Sequence, residues 1–423
     1  MSKKLRRFSG IALLIMVIVL ALPASVSAGG IIGSPNPVSA GPEEEVYPAV
    51  AYNSTRQEYL VVWFNDRPVV DDIYAQRLTR DGLKIGPVFC ISTGAGQNKR
   101  YPDVAYNSKH DQYLVVWEDE TVQGKGIRAC RVSGSGEVLD ESGFKIADHG
   151  YDNIFPKKPI VSYAYTSDRY MVVWAESWKN VALPNPNHFI KAQKVTETGA
   201  LEDSPILVAS AKHYIGEPDI AYNRHMNQYL VVWEDLRTLT ETRIYGYQLN
   251  AGGFKVGSEI QITSGSVDCT NPAVASIPTS GGDIKFLVVY EHEYPANDHD
   301  IYGRFINEDG TLHTALFLFA FTTFDETSPA VTGNEVSQEY FVVWRENQGV
   351  TDNPIMGIQV SSLADSWGDL IELPCPAADN PAVSAGHLAD FLIVWQDQPV
   401  SGTNMNIYSQ LFGNRNYLPM IKR

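Results

Sequence analysis

The chain has few cysteines, few basic residues and almost no long apolar run. Its four cysteines, Cys90, Cys130, Cys269 and Cys375, fall at unrelated places, and none has CxxC spacing. A zinc knuckle is therefore not supported, while disulfide bridges and buried free thiols stay open as alternatives. Lysine and arginine together number 33 against 49 aspartates and glutamates, a formal charge of −16. Nucleic acid and anionic membranes both need basic patches, so neither is expected as a partner. Cations, neutral glycans and basic proteins all suit such a surface, which selects none of them. Helical periodicity is missing throughout. So are GxSxG, HExxH and phosphate-loop motifs, which leaves serine-hydrolase, zincin and nucleotide chemistry without support.

The one sizeable apolar run spans residues 11–22. It follows MSKKLRR and precedes Val26-Ser27-Ala28. A basic start, a short apolar middle and small residues before the cut describe a secretory signal peptide over 1–28. That segment holds four basic residues and no acids, so its removal takes the charge from −16 to −20. No cysteine follows to carry a lipid, and no later stretch is long enough to cross a bilayer. The expectation is a secreted, cell-surface or periplasmic protein with no membrane span after cleavage. Residues 29–414 form its folded part and 415–423 a tail.

What the chain does contain is repetition. PAVAYNSTRQEYLVVW, residues 48–63, returns as PDVAYNSKHDQYLVVW at 102–117 and PDIAYNRHMNQYLVVW at 218–233. Weaker copies start at Pro159, Pro272, Pro329 and Pro381. Successive prolines lie 54, 57, 59, 54, 57 and 52 residues apart. A fixed period of this size means a solenoid, a propeller or an array.

One copy reads as four strands. Strand A covers 48–53, with proline at its first position. A polar turn leads to strand B, the apolar run YLVVW. IYAQRL at 73–78 is strand C, Asp81-Gly82 marks a hairpin, and 85–92 is strand D. Strand B is apolar on both faces in every copy, so each sheet must be covered on both sides. Seven four-stranded antiparallel sheets arranged radially, an all-β seven-bladed β-propeller, satisfy this. The seventh copy stops after its strand C. Residues around 36–40 match the spacing of a strand D that has no blade of its own. They are expected to pair beside 407–412 and close the ring, which removes two open sheet edges.

The PAVAYN, YLVVW and IYAQRL segments resemble the repeats of secreted bacterial seven-bladed β-propellers, over nearly the whole chain beyond residue 28. The resemblance implies architecture and no particular activity. Trp-Asp repeats, sialidase-type aspartate boxes, kelch glycine pairs and integrin-type calcium loops are absent.

A meander of this kind puts A–B and C–D turns on one face and B–C and D–A connections on the other. From the strand B aromatic to the strand C isoleucine the offsets are 10, 10, 16, 11, 11, 11 and 12. Variable loops over a rigid scaffold are where binding resides. An acidic series follows strand B: Asp66, Asp119, Glu176, Asp235, Glu291, Glu346 and Asp397. Repeat symmetry places it as a ring on the B–C face, able to cradle sugar hydroxyls or a cation, or simply solvated. Blade three has the longest loop, 177–188, where Trp178 offers a flat platform and His188 a polar partner. Trp367 lies near a C–D turn and reads as packing. Glu291, His292, Glu293, Asp298, His299 and Asp300 gather imidazole and carboxylate in ten residues, candidate ligands for calcium or another divalent cation, although no known spacing is matched. The sequence thus points to a monomeric binding module for a glycan, peptide or protein. The alternative is a polysaccharide hydrolase or lyase using paired carboxylates on the same face.

Overall fold

A computed structural model describes residues 29–67, 70–92, 98–121, 124–141, 143–148, 154–178, 187–277, 284–294, 298–320, 322–349, 353–398 and 404–413. These residues build seven four-stranded antiparallel sheets and no helix. Blade one runs Glu44–Asn53, Glu58–Asp66, Asp72–Thr79 and Lys84–Cys90, each strand paired to the next. Six blades use consecutive strands in this way. Consecutive A strands lie side by side and form the inner wall of the ring.

The apolar run of strand B explains why the sheets stack. Its side chains alternate between two faces. Tyr59, Val61 and Trp63 bury against Leu392 and Val394 of blade seven. Leu60, Val62 and Phe64 bury against Tyr113, Val115 and Trp117 of blade two. The same division recurs at every interface, giving seven buried clusters for seven seams. The six repeat tryptophans, 0–1% exposed, sit in these seams as expected.

The asparagine that ends PAVAYN is a staple between blades. Asn53, Asn107, Asn223 and Asn334 are fully buried. Each side-chain oxygen accepts an amide three residues on, from Arg56, His110, Met226 and Ser337 at 2.8–3.1 Å. Each side-chain nitrogen donates into the next blade in the ring. The partners are Asp111, Asp168, Ser276 and the Leu388 carbonyl. The A–B turn and the seam beneath it are thus held by one residue.

Ring closure follows the expected partner with shifted bounds. The closing strand is Gly30–Pro37, antiparallel to Asn406–Gly413, with Ile31 opposite Phe412 and Pro37 opposite Tyr408. Residues 38 and 39 lie beyond it. Their amides still reach the Ile407 carbonyl, at 2.7 and 3.2 Å. Spacing counted back from the first repeat proline misses the register shift inside this pairing, between Ile32 and Asn36.

All four cysteines are free thiols, three of them buried. Burial pushes Cys130 up to about 12 and Cys269 up to about 11. Both are inert core groups at neutral pH.

Candidate functional site

The repeat proline does not start strand A. The strand begins four residues earlier, at Glu44 in blade one, and the proline sits mid-strand at a bulge. Every blade breaks register there, from Val46/Ala49 in blade one to Asp379/Ala382 in blade seven. Proline has no N–H to give a ladder, so it is tolerated on the inner edge and marks the slip. The residue before it adopts left-handed backbone in all seven blades, with φ between 44° and 56°. These residues are Tyr47, Tyr101, Lys158, Glu217, Asn271, Ser328 and Asn380.

The bulges and prolines together line a cavity of about 320 Å³ on the channel axis. Because strand A runs from the D–A connection toward the A–B turn, this cavity is the mouth on the B–C and D–A face. Below it, toward the A–B turns, a second chamber of about 620 Å³ is lined by Tyr52, Tyr106, Tyr163 and Tyr222 with serine hydroxyls.

The ring is chemically lopsided. Tyr47 meets Tyr101 edge-on with centroids 4.8 Å apart, and Phe64 stacks behind Tyr47 at 5.6 Å. Lys158 Nζ lies 5.6 Å from the Tyr101 centroid and pairs with Glu217 Oε2 at 2.5 Å. Asn271, Ser328 and Asn380, on blades five to seven, complete the ring with neutral groups. The Tyr214 hydroxyl donates to Glu217 Oε1 at 3.5 Å, and His188 meets the Tyr214 ring edge-on at 6.3 Å. Ser177 Oγ and His188 Nδ1 are 3.0 Å apart. Blade three's B–C hairpin therefore continues the mouth outward.

Beneath the ring, carboxylates hold the bulges in place. Glu118 accepts the Lys158 amide at 3.3 Å, Glu234 the Asn271 amide and Glu291 the Ser328 amide at 2.7 Å each. Gln396 accepts the Tyr47 amide at 2.8 Å. Asp103 and Asp219 accept the Val161 and Val274 amides at 2.7 and 2.6 Å. Burial pushes Glu234 and Asp103 up to about 7 and Asp219 up to about 6, against the amides that lower them.

The acidic series is not one ring. Strand B runs on past the aromatic, so these residues lie in strand and alternate sides. Asp119, Glu176, Asp235, Glu346 and Asp397 stand two positions after the aromatic and are buried. The Trp174 and Trp233 indoles each donate to the carboxylate two residues on, both at 3.4 Å. Trp63 donates to Asn65 at 2.9 Å in the same geometry. Arg128 and Lys191 pair with Asp119 and Glu176 at 2.8 and 2.7 Å, and Arg237 with Asp235 at 2.5 Å. Asp397 accepts the Ala377 amide, and burial raises its pKa. Asp66 falls one position later and is exposed. Glu291 falls one position earlier and faces the ring instead.

Trp178 is the last residue of a strand, Arg169–Trp178, opposite Asn187 of Asn187–Thr196. Its side chain and residues 179–186 lie outside the described residues. His188 is likewise in strand, with its pKa lowered by burial.

The blade five segment is also mostly strand, Ile284–Tyr294 and Asp298–Asn307. His292 lies between the Tyr294 and Tyr302 rings, at 4.8 and 4.6 Å. His299 pairs with Asp325 at 2.7 Å, and Asp300 hydrogen-bonds Glu326. Glu293 and Asp298 lie in the same hairpin, opposite His299 and Tyr294. Among the described residues no three such groups converge on a point that could hold a metal ion. Trp367 is 62% exposed and packs edge-on against Phe317 at 6.3 Å.

No family model matches the chain, and no curated protein is similar to it in sequence. Solved structures do resemble it. A protein of unknown function from Dyadobacter fermentans superposes with a TM-score of 0.51 at 9% identity, over 92% of this chain and 98% of that one. The likeness is one of fold. An α-L-arabinofuranosidase from Lactobacillus brevis gives 0.37 at 13% identity, over 67% and 96%. An endo-arabinase from Bacteroides thetaiotaomicron gives 0.38 at 12%, over 69% and 99%. At such identities neither brings an activity to this chain.

Proposed function

We propose that the protein is a secreted binding module that takes a glycan, peptide or protein ligand into the channel mouth. The observation that carries this is the left-handed ring. The fold needs a bulge before each proline, and glycine or asparagine fills such a conformation at least cost. Five of the seven positions hold Tyr, Lys, Glu or Ser instead. Side chains held in unfavoured backbone and aimed at one cavity are a mark of recognition sites. His188, against the Tyr214 ring, extends the same surface from blade three.

Binding is favoured over hydrolysis because the nearby carboxylates already have structural work. Glu118, Glu234 and Glu291 each hold a bulge amide, and Gln396 does the same without a charge. Glu217, the remaining ring carboxylate, is paired with Lys158. Acting outside the cytoplasm agrees with the signal-like N-terminus. Glycan and peptide arrays test the proposal, alongside reducing-sugar release from a polysaccharide panel. The expected result is selective retention without sugar release, lost in the Lys158→Ala, Glu217→Ala double variant. Turnover stopped by one carboxylate substitution, or retention unchanged in the double variant, contradicts it.

A further inference from the structure

We infer that the mouth receives the neutral end of a saccharide chain, seated against Tyr101 with its hydroxyls on Asn271, Ser328 and Asn380. This rests on the binding-module reading and narrows it to one ligand chemistry.

The charge of the ring comes first. Its single cation and single anion, Lys158 and Glu217, neutralise each other at 2.5 Å. An anionic ligand would have to draw Lys158 from Glu217, and a cationic one would have to do the reverse. Either exchange gives up a partly buried pair, so a charged group gains little. Beneath the ring, Asp103 and Asp219 are already engaged by amides.

The two arcs then fit a sugar. A pyranose or furanose carries an apolar C–H face and a rim of hydroxyls. Tyr47, Tyr101 and Phe64 brace one another, with centroids 4.8–5.9 Å apart, so the aromatic arc is set before a ligand arrives. Preorganised rings give contact area at low entropic cost. Around the rest of the ring, on blades five to seven, stand two amides and a hydroxyl. Each both donates and accepts, as a sugar hydroxyl does.

Size and closure decide the mode of approach. A volume of about 320 Å³ is at the small end for ligand pockets. It is walled on all sides by seven blades, so a chain cannot lie across its floor. A terminal sugar must come in along the axis, with the rest of the chain directed out past Tyr214 and the blade three hairpin.

Isothermal titration of the whole protein tests this, using neutral oligosaccharides of about two to six units, uronate oligomers and uncharged peptides. The expected result is binding of a neutral oligosaccharide with affinity that stops rising after the first few units and changes little with salt. Tyr101→Asn and Asn380→Gly, each of which keeps a residue tolerant of left-handed backbone, should each weaken it about tenfold. Tyr52→Phe, in the lower chamber, should leave it unchanged. If peptides or uronates bind instead and the same two variants weaken them, the saccharide inference fails and the channel-mouth reading stands. If the oligosaccharide binds and neither variant weakens it, both fail. Absence of binding by any neutral oligosaccharide overturns the inference alone.

Discussion

Trp117 and Glu234 show how differently single residues can be read. Trp117 is 1% exposed in the seam between blades one and two. Trp117→Ala should cost about 3–5 kcal/mol, the usual loss for a large buried aromatic. Denaturant titration checks this, and a variant as stable as the parent contradicts the seam. Its place in the core was legible because YLVVW recurs with one length. Glu234 was not legible as a clamp. It stands one position after its tryptophan, while Asp235 stands two, and strand alternation sends neighbours to opposite faces. Counting acids after strand B merges the two faces into one apparent ring. Burial lifts the Glu234 carboxyl to about 7. The folded state therefore holds a proton that the unfolded chain releases, and this group's contribution falls as pH rises from about 4.5 to 7. Glu234→Gln keeps an acceptor for the Asn271 amide and removes the charge. It should match the parent near pH 4 and exceed it at pH 8 by about 3 kcal/mol, at ~1.4 kcal/mol per unit. A variant less stable than the parent at pH 8 would mean that the charge itself holds the bulge.

Among the elements, strand A carries the surprise. Proline at a strand start and proline at a mid-strand bulge look alike in sequence. The preceding residue is usually extended before proline, so nothing announced a left-handed turn. A usable signal was present all the same. One position beside an unvarying proline changes type from Tyr to Lys, Glu, Asn and Ser between copies. Closure was legible from the missing fourth strand of the last copy, although its bounds were not. Deleting residues 29–37 should strip Gly30–Pro37 from blade seven and leave Asn406–Gly413 as an open edge. The expected outcome is a lower melting temperature and concentration-dependent self-association by light scattering. A monomeric deletion variant with an unchanged melting temperature rules out the closing strand. Trp178→Ala, at the end of the blade three hairpin, should weaken ligand binding by about 1–3 kcal/mol and leave melting unaltered.

At the scale of the whole molecule, the ring makes one site from seven copies of one motif. Repetition fixes the scaffold and leaves the residue before each proline free to differ, and the proposed binding surface lies where the repeats disagree. Several buried carboxyls titrate in the same sense as Glu234. Burial raises Asp219 to about 6, Asp103 to about 7 and Glu326 to about 8. The protein should therefore melt at a higher temperature near pH 5 than near pH 8, and a scan rising through that range would contradict the burial of these groups. The central claim is that the ligand sits in the mouth on the B–C and D–A face. A crystal structure with a bound oligosaccharide tests it most directly. The account predicts density between Tyr101 and Asn380, within contact of the Lys158–Glu217 pair. Density confined to the lower chamber, among Tyr52, Tyr106 and Tyr163, would contradict it.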